Sequence, residues 1–263
     1  SKSVALPLAA ALAEAAGAHL AVTVIAPKTY IPYSFMGSSY VGAMANDLDK
    51  RTTTAAEALA AEATEAIRKR GLTGHAAVQH ALLEEASSQA VRSARASDLI
   101  VVDRPAAVLD MKALVLEEAL FRSGHPVLVA SPDAPPVGTF ERIMIAWDGS
   151  QHAARAVADT LALFPGVAHA DIVVVLGEKP LEKMLPGADL AHHLACKGVE
   201  TRLVELQAGG QPVGRLLDEH AKGNGADLIV MGGFGHSRLR EFIFGGVTVS
   251  LTQSASRPLL MAY

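Results

Sequence analysis

The chain repeats itself. Ser97-Asp98-Leu99-Ile100-Val101-Val102 matches Ala226-Asp227-Leu228-Ile229-Val230-Met231, with a small residue and an aspartate opening an apolar run each time. Gly124-His125-Pro126-Val127-Leu128-Val129-Ala130 matches Ser256-Arg257-Pro258-Leu259-Leu260-Met261-Ala262. Ala18-His19-Leu20-Ala21-Val22 resembles Ala168-His169-Ala170-Asp171-Ile172-Val173. The blocks keep their order and nearly their spacing: Asp98 precedes Pro126 by 28 positions, and Asp227 precedes Pro258 by 31. A repeat restricts the fold more than composition does, because whatever one copy builds the other must be able to build. The 263 residues therefore divide into a first unit, residues 1–132, and a second, residues 139–263, joined through the Pro-rich Ser131–Gly138.

The second unit alternates short apolar runs with helical patterns. Strands are expected at Arg142–Trp147, Asp171–Leu176, Thr201–Leu206, Asp227–Met231 and Leu259–Ala262. Helices are expected at Gln151–Phe164, Leu190–Lys197, Pro212–Ala221 and Gly246–Ser254, with Pro212 at a first helical position. Strands with little internal polarity, alternating with helices, form a parallel sheet covered on both faces. The fold class is α/β, as two tandem doubly wound parallel-sheet domains.

The first unit departs from this plan twice. It opens on a helical run, Val4–Ala13, with no counterpart to Arg142–Trp147, so its first strand is expected to lie before Ser1. Lys2 ahead of that run has the look of a leader peptide, but Glu14 closes the run and a strand follows, which favours a helix of the first domain. The second departure is the long connection Pro27–Asn46, with Tyr30, Tyr33, Phe35 and Tyr40, read as an aromatic-packed loop or as a lid or partner surface.

Composition excludes several classes. Half of the residues are hydrophobic and 19% are charged, which is ample for a core and unlike a disordered chain. With 23 basic against 27 acidic residues the net charge is −4, so binding nucleic acid by broad electrostatics is not expected. The single cysteine, Cys196, precludes an internal disulfide and a Cys-rich zinc site, and suits a reducing compartment. No run is apolar enough for a membrane span.

Ligands of such sheets bind at the carboxyl ends of the strands. Ala146-Trp147-Asp148-Gly149-Ser150 lies there, with Asp148 suited either to ribose hydroxyls or to capping the next helix. Gly232-Gly233-Phe234-Gly235 follows another strand, and Gly245-Gly246-Val247 opens a helix nine residues later. Glycines let a phosphate approach the backbone, and a helix N-terminus offers free N–H groups. The same glycines also suit two tight turns. The first unit has none between Asp103 and Ser123, which favours a ligand role over a scaffold role. His236, Arg238 and Arg240 lie between the two glycine clusters and suit either added charge or a solvated face. Gly209–Gly214 has P-loop spacing, but Arg215-Leu216 follows where Lys-Ser/Thr is required. His192-His193 and Cys196 read as helix surface and as a structural thiol.

Gly232-x-x-Gly235, nine residues, then Gly245 resembles the ATP-binding signature of the universal stress proteins, G-2x-G-9x-G-(S/T). The Asp148-Gly149-Ser150 turn and the closing Arg-Pro-Leu-Leu-Met fit the same family. The resemblance covers the second half and, without the glycine motif, most of the first, so the chain resembles a tandem universal stress protein. It implies that Ala146, Leu176 and Gly177 flank adenine and that Asp148 holds ribose. It further implies that Met231, Gly232, Gly235, Gly245, Gly246 and Val247 line the phosphates of ATP, with Mg2+ as an optional companion. Gly246 stands where the family has Ser or Thr, a loss of one hydroxyl worth roughly two- to tenfold in affinity. The family also implies pairing of the two halves through their last strands as a pseudo-dimer, with a homodimer as a further option. It implies a cytoplasmic stress-response switch acting on a protein partner. No base or metal-binding acidic cluster marks the loop, so no fast enzyme is expected. The alternative is a nucleotide-free scaffold of the same fold.

Overall fold

The computed structural model describes residues 3–29, 39–107, 110–177, 187–233 and 246–263. The first half runs α1 (Ala5–Ala16), β1 (Leu20–Lys28), α2 (Ser39–Lys69), β2 (Gly74–Leu82), α3 (Leu83–Ala94), β3 (Ile100–Asp103), α4 (Met111–Arg122) and β4 (Val127–Ala130). The second half runs β5 (Arg142–Ala146), α5 (Gln151–Leu163), β6 (His169–Leu176), α6 (Ala188–Cys196), β7 (Glu200–Gln207), α7 (Val213–Gly223), β8 (Leu228–Gly232), α8 (Gly246–Ser254) and β9 (Leu259–Ala262). Every strand and helix expected in the second half is present, with ends shifted by one or two residues. Pro212 sits just before α7 with ψ 122°, outside the helix rather than in its first turn.

The second half is a parallel five-stranded unit in the order β7-β6-β5-β8-β9. β5 is central: Ile143 pairs with Ala170 on one side and Leu228 on the other. Its apolar run is needed because both faces are covered, and Ile143, Met144 and Ile145 are wholly buried. One face packs with Ile145, Ile172, Leu228 and Leu260, and the other with Met144, Val173, Ile229 and Met261.

The first half does not close into one sheet. β1 and β2 pair in parallel as a separate two-stranded sheet, while β3 and β4 join the second half. Among the described residues no strand lies between β1 and β3, the place that β5 fills in the other copy. The effect shows in burial: β6 has five consecutive buried residues, while its counterpart β1 buries only Leu20 and Ala26. The halves meet through an antiparallel pairing of β4 with β9, Leu128 opposite Leu260, so seven strands form one sheet across the molecule.

The expected loop Pro27–Asn46 is in part a helix, because α2 begins at Ser39; residues 30–38 lie outside the described part. Tyr40, Met44 and Leu48 stand exposed on α2 at helical spacing. No helix among the described residues is long and apolar enough to cross a membrane.

Candidate functional site

The carboxyl ends of β6, β5 and β8 bring together residues far apart in sequence. Ala146, the last residue of β5, is in register with Val173 of β6 and Met231 of β8. Leu176 ends β6, and Gly177 follows with φ 95°, a conformation that side chains disfavour. Val247 on α8 packs against the same apolar cluster as Ala146 and Met231. Five of the ten expected site residues, Ala146, Leu176, Gly177, Met231 and Val247, thus lie on one rim or against it. Gly235 and Gly245, with His236, Arg238 and Arg240, lie outside the described residues.

The turn after β5 is built by a division of labour. Asp148 accepts the N–H of Ser150 at 3.0 Å, and Gly149 takes φ 72°. Ser150, not Asp148, caps α5, its hydroxyl accepting the Ala153 N–H at 3.1 Å. The capping role considered for Asp148 therefore belongs to its neighbour, while Asp148 holds the turn that presents the cap. Trp147 packs partly buried against the core, its backbone N–H donating to Val173 O at 2.9 Å.

The glycines carry a correction. A Cβ at Gly232 would lie 2.6 Å from Ala153 N and 2.9 Å from His152 C, so the first turn of α5 presses on this residue. A Cβ at Gly233 would lie 2.7 Å from a methyl of Leu120 on α4. Gly232, pressed by backbone, is demanded by packing, so its absence from the first half is no measure of a ligand role. Gly246 differs: among the described residues no heavy atom would stand within 4 Å of a Cβ there. It is exposed at the start of α8, open toward whatever that helix end faces. Thr248, two positions on, is buried, whereas Gly246 is exposed, so its hydroxyl does not stand in for one at 246.

Aligning Asp98 with Asp227 shows what the first half does at the same place. Asp103 is the counterpart of Gly232, and its Oδ1 accepts the Val4 and Ala5 N–H groups at 2.7 and 2.8 Å and Ser3 Oγ at 3.2 Å. A carboxylate of the chain itself thus occupies the N-terminus of α1. Arg104, the counterpart of Gly233, reaches the other half, bonding Ser131 Oγ at 2.7 Å, Asp133 at 3.3 Å and the carbonyl of Ala255 just beyond α8. Both substitutions are readable in the repeat; their bonding is not.

A cleft of about 430 Å³ opens beside Leu176 and Gly177, bounded by Gln207–Pro212, the stretch with P-loop-like spacing. His152 stacks on Tyr263 at 4.4 Å, and Tyr263 meets Phe121 of α4 edge-on at 4.7 Å, which ties the start of α5 to the first half. The charged cluster Asp171, Arg202, His220 and Asn224 lies toward the amino ends of β6 and β7, away from this rim. Asp227 is also structural: Oδ2 accepts the Glu141 and Arg142 N–H groups at 2.8 and 3.1 Å ahead of β5. Burial raises its carboxyl above the ordinary value, with these N–H groups opposing. Cys196 is exposed, with His192 Nε2 3.8 Å from its sulfur.

Residues 139–262 match the universal stress protein family. The second half is a universal stress protein domain. The solved structure of a universal stress protein from Archaeoglobus fulgidus DSM 4304 is similar over 98% of this chain and 92% of its own, with 15% identity and a TM-score of 0.69. A protein from Pseudomonas aeruginosa UCBPP-PA14 assigned to the same family is similar over 91% of each chain, with 15% identity and a TM-score of 0.50. These likenesses show the α/β fold of the whole chain. No curated protein matches it in sequence.

Proposed function

We propose that the universal stress protein domain binds an adenine nucleotide, with Mg-ATP as the expected form, and that the chain is a tandem member of the family acting as a stress-response switch. In this reading Ala146, Leu176 and Gly177 flank the base and Asp148 meets the ribose. Gly235, Gly245 and the N-terminus of α8 at Gly246 and Val247 hold the phosphates. The observation that carries it is the convergence of the first four on neighbouring strand ends, in the half that matches the family, with α8 packed against the same cluster. Among the described residues no heavy atom stands within 4 Å of a Cβ at Gly246, which suits a phosphate there; Gly232 supports the rim from behind, since α5 fills its Cβ position. In the first half Asp103, at the position that Gly232 holds here, places its own carboxylate at the N-terminus of α1. The two halves act as a pseudo-dimer through β4 and β9, and the output is a protein partner in the cytoplasm rather than rapid ATP turnover.

A nucleotide-free scaffold is the competing reading, favoured by the packing duty of Gly232 and by the missing hydroxyl at 246. Titration calorimetry with Mg-ATP and AMP separates them, run alongside Gly235→Val. Saturable binding at a single site, lost in Gly235→Val, supports the switch. An absence of binding at millimolar ATP leaves the scaffold, and two sites per chain would show that Asp103 does not close the first half.

A further inference from the structure

We propose that His19 and His75 form a two-imidazole site for a divalent transition cation of the Zn2+ or Ni2+ type, clamping the starts of β1 and β2. His19 immediately precedes β1, and His75 lies at its second register position, opposite Ala21. Their Nε2 and Nδ1 atoms are 3.2 Å apart, and both side chains are exposed. Two nitrogens on one cation, each about 2.05 Å from it, stand about 2.9 Å apart at a right angle and about 3.3 Å apart at a tetrahedral angle. The observed separation falls between. As the rings stand, centroids 5.4 Å apart, the nitrogens face one another as a hydrogen-bonded pair. A modest turn of each exposed ring, over the broad imidazole torsion, aims both lone pairs at a shared ion.

The repeat supplies the contrast. His169, the counterpart of His19, faces a carboxylate instead, Glu200 Oε2 at 3.1 Å from Nδ1. An imidazole opposite a carboxylate makes an ordinary hydrogen bond through its N–H, whereas two imidazoles offer two borderline nitrogen ligands. The position also gives a cation something to do. β1 and β2 form a two-stranded sheet outside the seven-stranded one, and such pairs are weakly held. A bound ion ties their first residues together while water fills its remaining positions. Among the described residues no group of three or more His, Cys, Asp or Glu is placed to compete for a metal.

The test is calorimetric titration of NiCl2 and ZnCl2 into the full chain and its His19→Gln, His75→Ala, His169→Ala and His192→Ala variants, each checked for an unchanged melting temperature. One saturable site is expected, its affinity lowered at least about tenfold in the first two variants, the loss that even an outer-shell partner of a ligand can cause. It should be unchanged in the other two. Hydrogen exchange of the unaltered chain adds a readout free of variants: the metal should slow exchange in residues 20–28 and 74–82. Persistence of the site in either of the first two variants overturns the proposal. So does metal protection centred on Cys196, or an absence of saturable binding.

Discussion

Gly232 and Asp103 occupy the same position in the two copies and meet the first turn of a helix in opposite ways. Gly232 gives up its side chain so that the backbone of His152 and Ala153 can press in; Asp103 sends a carboxylate to the N–H groups there. A side chain at 232 has nowhere to go, so Gly232→Ala should cost about 1–3 kcal/mol of stability, read from urea unfolding midpoints. A variant as stable as the parent would refute the packing role. Gly246 predicts the reverse. With no heavy atom of the described residues within 4 Å of a Cβ there, Gly246→Ser should fold unchanged and, on the proposed reading, bind Mg-ATP roughly two- to tenfold more tightly, since the added hydroxyl can donate to a phosphate. Equal affinities in calorimetry would mean that the loop does not face phosphate.

At the scale of elements, α1 and α5 differ in who caps them. Ser150 caps α5 from the adjoining turn, as its sequence position suggests, whereas α1 adds to its local Ser3 Oγ, which accepts the Leu6 N–H at 3.2 Å, the carboxylate of Asp103 on β3 from 98 or more residues away. Asp103→Ala should cost about 1–2 kcal/mol, with early loss of protection at Val4 and Ala5 in hydrogen exchange. If only Lys112, 3.5 Å from the same carboxylate, responded, the cap would not be what Asp103 provides. α8 is held at its far end by the first half through Arg104 and the Ala255 carbonyl, while Asp218 Oδ1 accepts the Ser256 N–H at 2.7 Å. The helix whose start faces the proposed phosphates is thus anchored at its end from both halves. The periodicity of Gly246–Ser254 announces this helix, but nothing local announces its anchors.

Across the whole molecule, the antiparallel β4–β9 pairing makes one sheet of seven strands, with Leu128 and Leu260 wholly buried at the join. β1 and β2 stand outside it with few buried residues. Local opening follows burial, so amides of β4, β8 and β9 should exchange only by global unfolding, and those of β1 and β2 well before them, in the metal-free protein. Uniform protection across all nine strands would contradict the split sheet. The exposed run Tyr40, Met44 and Leu48 belongs to the same half, where α2 has 31 residues against nine in its counterpart α6.

The α/β class and the second half's element order were already legible in the sequence. Each depends on periodicity and repetition, which the chain carries locally: Arg142–Ala146 is apolar because it is buried on both faces, wherever its neighbours come from. The rim residues Ala146, Asp148, Leu176 and Met231 were legible for the same reason, as each sits at the end of a strand that its own composition marks. What the glycines do was not. Gly232 looks like part of a phosphate loop, and only the approach of the His152 backbone, 80 positions earlier in the chain, turns it into a packing site. The carboxylate of Asp103 at α1, the reach of Arg104 to Ala255 and the meeting of His19 with His75 are likewise decided by tertiary structure. Such contacts join residues whose separation in sequence carries no information about their separation in space.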